Sequence, residues 1–101
     1  MYDLNQMKKL PTLGSKAPEA WKTFVAFDQA ALADGAIPKK YKELMAVAVA
    51  LTTQCPYCID IHGKAARKAG ATDEELAEVA FVAAALRAGG AITHATHLLP
   101  D

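Results

Sequence analysis

The sequence predicts an all-α fold of about five helices that assembles into a helical oligomer. Three observations carry this. No segment keeps the two-residue alternation of a half-buried strand, so no strand is placed. Proline and glycine punctuate the chain at helix-length intervals. Two alanine-rich stretches, LMAVAVAL over residues 44–51 and VAFVAAAL over residues 79–86, are apolar on every side for two turns. Helices of that kind are normally buried all round.

The elements follow in order. Residues 1–16 read as an irregular N-terminal arm broken by Pro11 and Gly14. Pro18 suits a first helical turn, and a helix over residues 18–33 presents Trp21, Phe24, Val25, Phe27 and Leu32 as its apolar set, with Asp34-Gly35 as its stop. A second helix opens at Pro38 and runs to Thr53. Pro56 disfavours a helical residue before it, so a sharp boundary falls at Cys55 and a third helix spans residues 56–69, stopping at Gly70. Thr72 followed by Glu75 has the spacing of a capping box, and Asp73, Glu74 and Glu75 suit the positive end of a fourth helix. That helix is expected to end at Gly89-Gly90, leaving a short tail helix before Pro100. The segments beginning at Gly35 and Gly70 also align with each other. They match at Glu43 with Glu78, Val47 with Val82 and Leu51 with Leu86, as two copies of one repeat would.

A chain of 101 residues is expected to form a single domain, residues 1–101, with one modest core. Eleven basic and eleven acidic side chains balance, which gives no footprint for nucleic acid and no polybasic patch for a membrane. The N-terminus lacks an apolar run of signal-peptide length, and no run approaches the roughly 20 apolar residues of a membrane span. The expected location is cytoplasmic, where a structural disulfide is disfavoured. Hydrophobic residues make up 52% of the chain. So small a domain cannot enclose both apolar helices, so burial by a second copy is expected.

The chemistry concentrates in TTQCPYCIDIH, residues 52–62, which holds both cysteines. With Pro56 in the first helical turn, Cys55 falls at the helix cap and Cys58 in the first turn, both near free backbone N–H groups. That setting favours thiolate over thiol, and the spacing lets the pair close as a disulfide, so a cycling dithiol is inferred. His62 projects from the same face as Cys58, one turn on, where an imidazole can take or return a proton. Glu43 is the carboxylate that can orient it. At about 1.5 Å per residue, Glu43 lies roughly 16 Å and His62 roughly 12 Å from the turn joining their helices. Glu43 is then either a solvated helix end or a buried acid with a raised pKa; facing His62 and Cys58, a Glu–His–Cys relay is the better reading. A zinc site of Cys55, Cys58 and His62 with His94 or His97 is the alternative from another class. A thiol sensor or structural oligomer is the third.

Together these residues give the pattern E-x11-C-x2-C-x3-H, which resembles the active-site signature of AhpD-like alkylhydroperoxidases in the carboxymuconolactone decarboxylase superfamily. The resemblance implies a thiol-dependent hydroperoxide reductase, a peroxiredoxin-type activity without bound cofactor or metal. In it Cys58 attacks the peroxide, Cys55 resolves the product as a disulfide, and Glu43 and His62 relay protons. It implies an external dithiol of the lipoyl or thioredoxin-like kind as reductant, and a trimer or a hexamer built from dimers. Helix geometry alone does not choose between the cysteines. The better-known enzymes that the chain resembles are longer and carry histidine where this chain has Tyr57, whose phenol donates a hydrogen bond rather than serving as a neutral-pH base. His94 and His97 are expected at an interface, where they can line a neighbouring subunit's pocket. The decarboxylase branch typically lacks the paired cysteines, which argues against lactone decarboxylation.

Overall fold

The computed structural model describes residues 3–101 and contains five α-helices, with no strand among the described residues. They are α1 (Leu10–Lys16), α2 (Pro18–Leu32), α3 (Lys39–Thr53), α4 (Pro56–Lys68) and α5 (Asp73–His94), flanked by 3-10 helices at Leu4–Lys9 and Ala95–Leu98. The all-α prediction holds, and three boundaries need correction.

The first correction is the N-terminal arm, whose first two residues lie outside the described ones. Residues 4–16 are helical. Asp3 caps the first 3-10 turn by accepting from the Asn5 backbone N–H at 2.9 Å. Pro11 sits in the first turn of α1, where its missing N–H leaves no hydrogen bond unmade. Gly14 is no breaker either. A Cβ built on it would stand 2.7 Å from the Trp21 ring, so glycine is there to let the α1–α2 hairpin close on its tryptophan.

The second correction is α5. It passes through Gly89-Gly90 to His94, and a 3-10 turn replaces the expected tail helix. Both glycines keep ordinary helical backbone, since Gly70 alone among the described glycines has a positive φ, of 102°. Glycine stops a helix only by turning left-handed, and here a helix-compatible Ala-Ile-Thr sequence follows. The 26-residue stretch Asp73–Leu98 therefore reaches the length of a membrane span, and its most apolar 18-residue window, with a mean hydropathy of 1.5, reaches the composition of one. The third correction is small: α2 stops at extended Ala33, before Gly35.

Other ends form as their sequences dictate. Thr72 and Glu75 close a reciprocal capping box at α5, with bonds of 3.1 and 2.9 Å. Asp34 accepts from the Lys39 backbone N–H at 2.6 Å and starts α3.

The core lies where α3 packs between α4 and α5. It consists of Leu44, Val47, Ala66 and Ala71, with Leu51, Leu76 and Val79 packed against it. The Lys40–Glu75 ion pair at 3.0 Å ties α3 to α5 on its rim. No large side chain is fully buried among the described residues. The radius of gyration is 16.9 Å, against about 13 Å for a compact chain of this length. The accessible surface is 7782 Å², where a compact monomer of this mass has about 5,500 Å².

Candidate active site

The α3–α4 hairpin builds the site. α3 ends on Gln54, which adopts left-handed backbone (φ 56°, ψ 47°) as a non-glycine residue. This turns the chain back sharply enough for the Cys55 N–H to donate to the Ala50 carbonyl at 3.1 Å. Cys55 is thereby the N-cap of α4, in extended backbone, and Pro56 follows in the first turn. The Cys58 N–H points at the Cys55 sulfur, 3.3 Å away. A sulfur that accepts from a helix-start N–H is stabilised as the anion by that bond and by the aligned peptide dipoles. Cys55 and Cys58 are joined as a disulfide, their Cα atoms 5.4 Å apart. Both are half-buried.

Four residues on, His62 faces α3. Its Nδ1 lies 2.7 Å from Oε2 of Glu43. The direct contact matches the depth expected from counting along the two helices. Glu43 is 2% exposed, and its other oxygen, Oε1, accepts from Nζ of Lys39 at 3.0 Å. Burial pushes the Glu43 carboxyl toward the neutral form, but the hydrogen bonds and charges of His62 and Lys39 outweigh it, and its pKa is lowered. The raised value considered for a buried acid is therefore corrected: the hydrogen bonds and charges of two partners reverse the effect of desolvation. An ionised carboxylate has no proton to donate, so Nδ1 of His62 must be the donor. When the ring is neutral, the lone pair is then on Nε2.

Lys39 was not singled out from the sequence, although its spacing four residues before Glu43 on one helix was a readable signal. An open cleft of about 510 Å³ adjoins the pair, lined by Asp28 and Leu32 of α2, Asp34, Lys39, His62 and Ile61; neither cysteine lines it. Tyr57 and Ile61 line a smaller apolar groove of about 240 Å³ with Gln6, Met7 and Leu10 of the N-terminal helices. The supposed arm thus packs beside the cysteine helix.

The structure brings Glu43, His62, Cys55 and Cys58 onto one hairpin. It does not bring in His94 and His97. These sit exposed at the far end of the chain, with their rings 5.6 Å apart, His94 closing α5 and His97 in the 3-10 turn. Among the described residues no three histidine, cysteine or acidic side chains gather as a metal-holding group. The proposed zinc set is therefore not assembled within the chain.

Fold and site together define a small helical protein with an AhpD-like core: a helical hairpin with a C-x2-C disulfide at its turn and a carboxylate–imidazole pair across it. The family model for the carboxymuconolactone decarboxylase family matches residues 18–101, and the chain belongs to that family. Relatives include "Uncharacterized protein 4 in cox locus" of Paracoccus denitrificans, 43% identical over 98% of this chain and 92% of its own length. An uncharacterized protein of Cupriavidus necator is 34% identical over 91% of this chain and 81% of its own length. Among solved structures, a carboxymuconolactone decarboxylase family protein from Legionella pneumophila in its apo form superposes with a TM-score of 0.78. It shares 37% identity over 91% of this chain and 82% of that one. A protein from Methanobacterium thermoautotrophicum gives a TM-score of 0.81 at 35% identity, covering 85% and 97%.

Proposed function

We propose that the protein is a thiol-dependent hydroperoxide reductase working through the Cys55–Cys58 pair. The observation that carries this reading is the 2.7 Å bond between buried Glu43 and His62, one turn past a cysteine pair that closes as a disulfide. In the reduced protein the Cys58 thiol passes its proton to Nε2 of His62, and Glu43 stabilises the resulting imidazolium. The Cys58 thiolate attacks the outer oxygen of a hydroperoxide. The O–O bond breaks, the sulfur is oxidised to sulfenic acid, and the alkoxide leaves with the proton from His62 as an alcohol. Cys55 then attacks the sulfenic sulfur, releasing water and forming the disulfide. An external dithiol, of the lipoyl or thioredoxin-like kind, reduces it by exchange and is itself oxidised to a disulfide.

The working form in this reading is a homo-oligomer, a trimer or a hexamer built from dimers. Its support is the surplus surface of the protomer and the exposed apolar side chains of α3 and α5, Met45, Val49, Phe81, Val82 and Leu86. A second copy, rather than lipid, suits the α5 face, because Glu78 and Arg87 interrupt the helix and histidines crowd its end.

The test is peroxide consumption with dithiothreitol as reductant. Cys58→Ser is expected to abolish it, and Cys55→Ser to abolish sustained turnover. His62→Ala should slow it by about 100-fold. Full activity in Cys58→Ser would overturn the mechanism. Tyr57 between the cysteines, where the AhpD-like enzymes of the resemblance have histidine, favours one second reading: a disulfide reductase or thiol sensor. A dithiol that exchanges with disulfides or oxidises once, without consuming peroxide over many cycles, would decide for it.

A further inference from the structure

Lys39 is the first residue of α3, one turn before Glu43, and it is held from three directions. Its backbone N–H donates to Oδ1 of Asp34 at 2.6 Å. Its ammonium donates to the Leu32 carbonyl at the end of α2, 3.3 Å away, and to Oε1 of Glu43 at 3.0 Å. The Leu32 carbonyl is one of the last in α2, which have no partner within their own helix. A flexible lysine that is 47% exposed is thus anchored at both ends of its side chain, and its charge is set against one oxygen of a carboxylate that water barely reaches.

We propose that Lys39 is a positioning residue of the proton relay: it holds Oε1 of Glu43 so that the carboxylate stays ionised with Oε2 accepting from Nδ1 of His62. The inference rests on the relay reading given above and extends it by one residue. The chemical need is specific. If Glu43 took a proton, its hydroxyl would donate to Nδ1, the neutral ring would carry its hydrogen on Nε2, and no lone pair would be left to take the thiol proton. Burial opposes the charge on Glu43, and Asp28 from α2 and Asp34 from the connecting loop line the same cleft. The Lys42 ammonium donates to the Ala33 carbonyl, 2.7 Å away. His62 is a cation only for part of the cycle. Lys39 is the permanent countercharge.

The experiment compares wild type, Lys39→Gln, Lys39→Arg and Glu43→Gln. It measures iodoacetamide alkylation of Cys58 in the reduced protein across the acid and neutral range, alongside peroxide turnover. In Lys39→Gln the acid limb of the alkylation profile is expected to move up by about half to one pH unit, the size of a half-exposed opposite charge. At the midpoint of the wild-type limb this reads as a rate about twofold to fivefold lower. Lys39→Arg should restore the wild-type profile. A Lys39→Gln limb that coincides with wild type while Glu43→Gln loses it overturns the Lys39 proposal alone. If Glu43→Gln also coincides with wild type, the relay itself is wrong and Lys39 has nothing to position.

Discussion

The helices α3 and α5 repeat a pattern of letters and put it to opposite uses. Glu43 is 2% exposed, whereas its counterpart Glu78 is exposed. Val47 is 6% exposed and its counterpart Val82 58%. Leu51 packs against the core, and its counterpart Leu86 is 68% exposed. α3 lies between α4 and α5 and has neighbours on two sides; α5 lies on the edge and has them on one. The turns differ as well: Gly70 takes a left-handed conformation and Gly35 does not. Similar sequence thus yields a complete polar site on one helix and an unfinished apolar face on the other. In the proposed reading the chemistry is set up within one chain, and a second copy supplies the remaining burial.

The sharpest way to break this contrast is at Glu43. Glu43→Ala removes the shared partner of Lys39 and His62 and leaves a hole beside the core. It should cost about 2 kcal/mol, less than a fully buried pair would, because Lys39 is half exposed. Urea unfolding measures the loss, and peroxide turnover should fall by about 100-fold or more. The pair also sets an acid limit. The Glu43 pKa is lowered on folding from the ordinary 4.5, so the unfolded chain takes up a proton first as pH falls. The stabilisation is therefore complete above about 4.5 and is lost as pH drops through the folded value. Glu43→Gln should flatten stability against pH in that window.

The complementary change is Leu86→Asp on α5. A carboxylate on a face closed by a second copy would be buried without a partner, so sedimentation should show the oligomer shifting to monomers with a lower melting temperature. An unchanged mass would remove this part of α5 from any interface. Because Leu86 has no part in the hairpin, the lowered pKa of Glu43 should remain as in the wild type.

These contrasts also explain what was legible in the sequence. Periodicity located α2 to α5, since helix period and caps such as Thr72 with Glu75 are local properties. The Glu43–His62 contact was legible because a hairpin with a tight turn equates distance along two helices. Three features were not local. Gly14 looked like a breaker because its reason is Trp21, seven residues on and facing it. Gly89-Gly90 looked like a stop because only backbone φ distinguishes a capping glycine from a helical one. The sign of the Glu43 shift was hidden because it depends on His62 and Lys39 at once and desolvation alone points the other way, although the Lys39–Glu43 spacing itself was readable.

Gly89 and Gly90 give a smaller test of the α5 side. A Cβ at either position meets nothing within 4 Å, so alanine should stabilise the helix by about 1 kcal/mol at each site. Thermal unfolding of Gly89→Ala and Gly90→Ala measures this. Loss of assembly in either variant would instead place a close helix crossing at this pair, turning a gap in the protomer into a contact between copies.

The smallest effect is expected on the α3 side, at the turn that makes the site possible. Gln54 holds left-handed backbone with φ 56°, a conformation that costs a residue with a Cβ about 1 kcal/mol. Glycine adopts it without that cost but loses more chain entropy on folding. Gln54→Gly should therefore stabilise the protein by no more than about half a kcal/mol. The same substitution frees the unfolded and locally opened hairpin, and Cys55, the next residue, is the one that must meet Cys58. Equilibrium with a dithiothreitol redox buffer separates the two effects. If the left-handed turn is what presents Cys55 as the cap of α4, Gln54→Gly keeps the wild-type disulfide equilibrium while raising stability slightly. A disulfide that becomes easier to reduce at unchanged stability would mean that glutamine restricts the turn in the dithiol state, and that the strain at Gln54 serves the redox pair rather than the fold.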